Sequence, residues 1–211
     1  MATYLVTRPE HDDTTYYLSK WSEGTLKIAK SRRIRVIDLP RERATREELE
    51  GMIKEFSPNL IVLNGHGDSR TVRGHNDKPL ITAGKNEKIL HSKIVYAISC
   101  KSAKELGPNA VKNGALSFTG YSEDFVFVFD PSRLTRPLSD ATAELFLGPS
   151  IRFVESLIKG NNVENAHEKT VGQFRKNLIK ALGNEEHAPF ARYIWWDMNC
   201  FVSHGDKKAR I

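Results

Sequence analysis

Cysteine is scarce: the 211 residues hold two, Cys100 and Cys200. Neither belongs to a Cys-x-x-Cys pair, and no Cys/His group has zinc spacing, so neither a disulfide framework nor a structural metal is expected. Long apolar runs are missing too. No window approaches the ~18 residues of a membrane span, and Met1 to Arg8 lacks the basic and then apolar opening of a secretory leader. A soluble, cytoplasmic protein with no membrane partner is the expectation. No Gly-x-Gly-x-x-Gly follows the first apolar run and no Gly-x-x-x-x-Gly-Lys-Ser/Thr occurs, so no cofactor is expected.

A dominant charge sign is also absent. Lys and Arg number 32 against 26 Asp and Glu, a net +6 spread along the chain. The densest basic stretch (Arg32, Arg33, Arg35, Arg41, Arg43, Arg46) is broken by Asp38, Glu42, Glu47 and Glu48, the pattern of a solvated face, so nucleic acid is not an expected partner. What remains is ordinary: 39% hydrophobic and 27% charged residues suit one globular domain over 1–211, without repeat or linker, and exclude a disordered chain.

Thr3 to Thr7 is β-prone, and Asp12, Asp13 and Thr14 offer N-caps for a helix carrying Tyr17, Leu18 and Trp21 that should end at Gly24. Arg33 to Leu39 suits a strand stopped by Pro40. Thr45 to Glu48 is a capping box whose helix puts Leu49, Met52, Ile53 and Phe56 on one face. Leu60 to Leu63 and Ile94 to Ile98 are apolar without a polar face, as in strands covered on both sides. Leu80 to Ala83 is a short strand candidate between them. Gly107-Pro108 and Gly114 bracket a short helix before a strand over Ala115 to Tyr121. Beyond Ser139 a helical period extends to Ile158, with Gly148-Pro149 expected to kink or divide it. A helix capped by Asn162 stops at Gly183, and the aromatic stretch Ala191 to Val202 reads as a final strand, with Trp195-Trp196 as core. The β-α-β order implies an α/β fold with a mostly parallel sheet.

In such sheets reacting groups collect outside the carboxyl ends of the strands. Two central runs end there in Asn64-Gly65-His66-Gly67-Asp68 and in Ser99-Cys100. If the runs pair, an imidazole meets a thiol about one strand spacing away, the pair that acyl transfer needs: His66 as base and acid, Cys100 as nucleophile. Gly67, lacking a Cβ, lets its N–H approach a substrate carbonyl, and with the N–H of Cys100 would form an oxyanion hole. Cys200 reads as core. His11, His75, His91, His167, His187 and His204 show no metal-ligand spacing and read as surface or loop histidines.

The ordered set Leu60 to Asp68, Ile94 to Cys100 and Asn113-Gly-Ala-Leu-Ser-Phe-Thr-Gly-Tyr121-Ser122, with the later Trp196-Asp-Met-Asn199 and His204-Gly-Asp206, resembles the caspase-like cysteine peptidases of clan CD, in particular their CHAT and gingipain-type branch. The resemblance implies a caspase-like αβα sandwich and a His66/Cys100 dyad with Gly67 and Cys100 as oxyanion donors. Ala97-Ile-Ser-Cys100-Lys101 departs from the caspase Gln-Ala-Cys-x-Gly, which does not suit Asp specificity.

The specificity pocket of such folds lies beside the dyad. Asp68, Glu123 and Asp124 there would favour Lys or Arg at P1; Arg8, after the first strand, argues the other way, and Glu123 and Asp124 also suit a solvated loop. A protein or peptide substrate is therefore expected. Regulation by a partner chain, by cleavage between residues 69 and 92, or by self-association is expected as well. Two other readings stay open: a catalytically silent binding or assembly module on the same scaffold, and a ligand-binding doubly wound domain in which His66 and Cys100 only line the crevice.

Overall fold

The computed structural model describes all 211 residues. Strands β1 (Thr3–Arg8), β2 (Arg35–Pro40), β3 (Leu60–Asn64), β6 (Ile94–Ile98), β7 (Ser117–Tyr121) and β8 (Phe201–Gly205) form one sheet in the order β2-β1-β3-β6-β7-β8; β4 (Thr71–Arg73) and β5 (Pro79–Thr82) form a separate hairpin. All pairs in the main sheet are parallel except β7 with β8. The helices are α1 (Asp13–Ser31), α2 (Arg46–Phe56), α3 (Leu106–Lys112), α4 (Ala141–Ile158), α5 (Val163–Leu182) and α6 (Ala191–Cys200).

Alternation along the buried strands makes two cores. Tyr4, Val6, Leu60, Val62, Ile94, Tyr96 and Ile98 face α1, α4, α5 and α6, while Leu5, Ile61, Leu63, Val95 and Ala97 face α2, α3 and the hairpin. The strands lack a polar side because both faces are covered, which gives an αβα sandwich. After β1 the chain crosses to the first face, after β3 and β6 to the second, and after β7 back to the first. Loops therefore diverge between β1 and β3 and again between β6 and β7. Such divergences open the crevices in which doubly wound sheets hold ligands.

Three local expectations need correction. Gly24 does not end α1: the helix is nucleated by a complete capping box at Asp12 and continues to Ser31. The ~1 kcal/mol a mid-helix glycine costs is outweighed by the burial of Thr25 and Ala29 beyond it. Of the two outcomes expected at Gly148-Pro149, a kink or a division, the division does not occur, since α4 runs unbroken from Ala141 to Ile158. The Leu145 carbonyl that proline leaves without its helical partner instead accepts the Asn177 side-chain N–H of α5 at 2.8 Å. Ala191 to Cys200 is helical, and only Phe201 to Gly205 is strand. Ala191, Ile194, Asp197 and Cys200, the residues it buries, are three apart, a helical spacing masked by the β-prone Tyr193, Ile194, Trp195 and Trp196. Cys200 is core as expected, but Trp195 and Trp196 are exposed.

Candidate active site

β3 and β6 pair with Asn64 opposite Ile98, so His66 and Cys100 each lie two positions beyond the last pair of adjacent strands, about 4.8 Å apart in the sheet. Gly65 adds a further bond, its N–H meeting the Ile98 carbonyl at 3.3 Å. Its φ of +148° and the nearby Arg73 carbonyl, which a Cβ would strike, require glycine where the chain leaves the strand. At Gly67 a Cβ would run into the Ser99 hydroxyl. The bonds of this turn are made by its neighbours: Asp68 N–H to the Thr71 carbonyl at 2.9 Å, and Arg73 N–H to the His66 carbonyl at 2.8 Å. The N–H groups of Gly67 and Cys100 make no hydrogen bond within the chain. Two free N–H donors at adjacent strand ends are what a developing oxyanion requires.

The half-buried His66 has its Nε2 2.6 Å from Asp12 Oδ2. The other Asp12 oxygen caps α1 by accepting the Thr15 N–H at 2.7 Å. Burial pushes the Asp12 carboxyl up, but the Thr15 N–H and His66 outweigh it and hold it below the usual carboxylate range. An ionised Asp12 can only accept, so the proton of this contact is on His66 Nε2.

Cys100 is half-buried, and its Sγ donates to the Phe125 carbonyl at 3.7 Å. Burial, and to a lesser degree the Asp124 charge, raise its pKa, so the resting sulfur holds its proton. The covering strap, residues 122–130, is held along its length, starting with the Ser122 N–H on the Cys200 carbonyl at 2.8 Å and the Lys101 N–H on the Glu123 carbonyl at 3.0 Å. Val126 N–H donates to Asp197 Oδ1 at 3.0 Å, the Trp196 indole N–H to the Asp124 carbonyl at 2.8 Å, and Asp130 N–H to Asp140 Oδ2 at 2.8 Å. Phe125 and Phe129 also lie against Tyr121 and Tyr17, with ring centroids 4.4 and 4.7 Å apart. None of the surface cavities is lined by His66 or Cys100.

The expected pocket residues all have charged partners within the chain. Arg8 is buried, its guanidinium forming a bidentate pair with Asp38 (2.8 and 2.7 Å) and donating to Ser19 Oγ at 2.9 Å and Glu23 at 3.3 Å. Its donors are thereby taken up inside the fold. Asp68 accepts from Arg70 N–H and Thr71 N–H at 2.8 and 2.9 Å and pairs with Arg73 at 3.1 Å. Glu123 pairs with Lys104 at 2.8 Å and Asp124 with Lys101 at 3.0 Å. The acidic rim therefore carries its own counter-charges.

A further group forms where β1 and β3 diverge. His11 and Asp12 follow β1, His66 follows β3, and one ligand-type atom from each lies within 4.8 Å of the others. The His11 side chain is only 10% exposed, and neither ring nitrogen makes a hydrogen bond. His75, beyond β4, sets its ring 5.7 Å from that of His11, and Asp77 Oδ1 is 3.4 Å from His11 Nε2. His11 is a loop histidine, between β1 and α1, but a buried one. No local spacing announces this group, because its members come from separate loops joined only by the sheet order; His-Asp at the end of the first strand was the available signal.

No protein-family model matches the sequence, and neither does any curated protein. Among solved structures, the chain superposes on the complex of the pro- and mature domains of RgpB from Porphyromonas gingivalis with a TM-score of 0.64 at 9% identity, covering 100% of this chain and 48% of that one. The fold is caspase-like. The chain spans about half the length of that neighbour. An inactive C11 protease zymogen from Parabacteroides distasonis also matches, at a TM-score of 0.36 and 13% identity over 69% of this chain and 53% of that one, too loose a superposition to add to the comparison. No helix is long and apolar enough to cross a membrane.

Proposed function

We propose that this chain is a cysteine peptidase domain in a resting state, akin to the CHAT and gingipain-type branch, with His66 and Cys100 as its dyad. The observation that supports the reading is the parallel register of β3 and β6, which brings the chain at residues 66 and 100 to adjacent strand ends, where the N–H groups of Gly67 and Cys100 have no hydrogen bond within the chain. In the reaction, His66 Nδ1 takes the Cys100 proton and the thiolate adds to the scissile carbonyl carbon. The oxyanion is received by the N–H groups of Gly67 and Cys100, each such donor being worth about 2.7–4 kcal/mol in the transition state. The C–N bond then breaks as the imidazolium gives its proton to the leaving amine, and water, deprotonated by His66, hydrolyses the thioester. Asp12 holds the ring and steadies its charged form.

The rest state follows from the strap. A buried thiol that keeps its proton and donates it to Phe125 is a poor nucleophile, so turnover requires residues 122–130 to move, through a regulatory partner, cleavage or self-association. The same protonated thiol also suits a catalytically silent module. Cleavage of a fluorogenic peptide library varied at P1 separates the two, with Cys100→Ala, His66→Ala and the thiol control Cys200→Ser alongside. Turnover lost in the first two variants and kept in the third supports the peptidase. A chain whose strap has been loosened and that still cleaves nothing refutes it.

A further inference from the structure

Beside His66 and Asp12, the loops around the ends of β1 and β3 carry His11, which the peptidase chemistry does not use. His11 has both ring nitrogens buried and without a hydrogen bond, an arrangement that leaves a polar ring desolvated and uncompensated. It stands 3.9 Å from Asp12 Oδ2 and 3.4 Å from Asp77 Oδ1 by its Nε2, with ligand atoms of His11, Asp12 and His66 within 4.8 Å of one another. The group also lies where the loops after β1 and β3 leave the sheet toward opposite faces, the position at which doubly wound sheets hold ligands.

We infer that His11, Asp12 and His66 form a binding site for a zinc-class divalent metal ion, with Asp77 or water as a fourth ligand, and that occupancy locks the peptidase off. Two imidazoles and a carboxylate are a borderline-soft donor set, suited to Zn²⁺ or Co²⁺ and poorly suited to Ca²⁺ or Mg²⁺. Donors around a tetrahedral zinc stand about 3.2–3.5 Å apart. The 2.6 Å pair of His66 and Asp12 must therefore open slightly while His11 closes in, movements within the reach of side-chain rotation.

The lock rests on the peptidase reading, whereas the binding does not. In the peptidase mechanism the neutral ring has its proton on Nε2, accepted by Asp12, and takes the thiol proton on Nδ1. A metal on Nε2 displaces that proton, and the neutral ring then carries its one proton on Nδ1. His66 can no longer receive the proton of Cys100.

The test is titration of the full chain with Co²⁺, followed by visible absorption, and with Zn²⁺ by calorimetry, for the unmodified protein, His11→Ala, Asp12→Asn and Cys100→Ala. The site predicts a tetrahedral Co²⁺ spectrum, affinity weakened about tenfold or more in His11→Ala and Asp12→Asn, and binding unchanged in Cys100→Ala. Asp12→Asn keeps a capping oxygen for α1 and so serves should His11→Ala fold poorly. Absence of binding, or binding indifferent to both residue 11 and residue 12, overturns the site. Where turnover is measurable, Zn²⁺ should inhibit the unmodified chain and leave His11→Ala active; equal inhibition of both removes the lock while the binding result stands separately. If no protein cleaves peptide yet the spectrum behaves as stated, the peptidase reading fails and the metal site survives.

Discussion

Asp197 offers a quantitative test of how the strap is held. Its carboxyl is buried on α6, with Oδ1 accepting the Val126 N–H at 3.0 Å and Oδ2 without a partner. Burial raises its pKa well above the ordinary aspartate value. A raised folded-state pKa means that the folded chain keeps a proton the unfolded chain has released. The associated stability is complete below the unfolded value of about 3.9 and is lost as pH rises through the folded value. Across that window the loss is about 1.4 kcal/mol per pH unit for one proton. Asparagine is neutral throughout and retains a carbonyl for Val126. The stability of the unmodified chain relative to Asp197→Asn should therefore fall with that slope as pH rises from about 4.5, and flatten above the folded pKa. Urea denaturation of both proteins at one-unit steps measures this directly, since titrations common to both cancel in the difference. Parallel stability curves would refute the argument, because they would mean that Asp197 ionises in the fold much as it does in the unfolded chain.

Three other outcomes follow from named contacts. Asn177→Ala should cost about 1–3 kcal/mol by stranding the Leu145 carbonyl, and Pro149→Ala should recover part of it by restoring a backbone N–H; a denaturant double-mutant cycle without coupling would show that Asn177 does not complete α4. Lys101→Ala with Lys104→Ala should shift P1 preference toward Lys and Arg by freeing Asp124 and Glu123, as read from the peptide library. Arg8→Met should destabilise the fold by about 3 kcal/mol through the orphaned Asp38 while leaving P1 preference unchanged; altered preference would return Arg8 to the substrate pocket.

The strand runs, the helix from Arg46 and the helix from Val163 are legible in the sequence because their periods and caps are local. Two-sided burial of Leu60 to Leu63 and Ile94 to Ile98 follows from their having no polar face, while the pairing of β3 with β6, which brings His66 and Cys100 to neighbouring strand ends, is a property of the sheet order. The errors are local too. In Ala191–Cys200, β-prone aromatics outweigh a three-residue spacing of buried groups, and at Pro149 the rescuing donor lies on another helix.

Only the tertiary structure decided the electrostatics. Acidic residues that read as a pocket for basic substrates each have a counter-charge at hand, Arg8 is closed by Asp38 on β2, and the thiol is shielded by a strap hung from Asp197. His11 meets His66 because β1 lies beside β3 in the sheet. A side chain's period is set by its own backbone and can be read along the chain. Its charge state and its partners depend on which distant groups the sheet order brings within a few ångströms, and no local spacing carries that information.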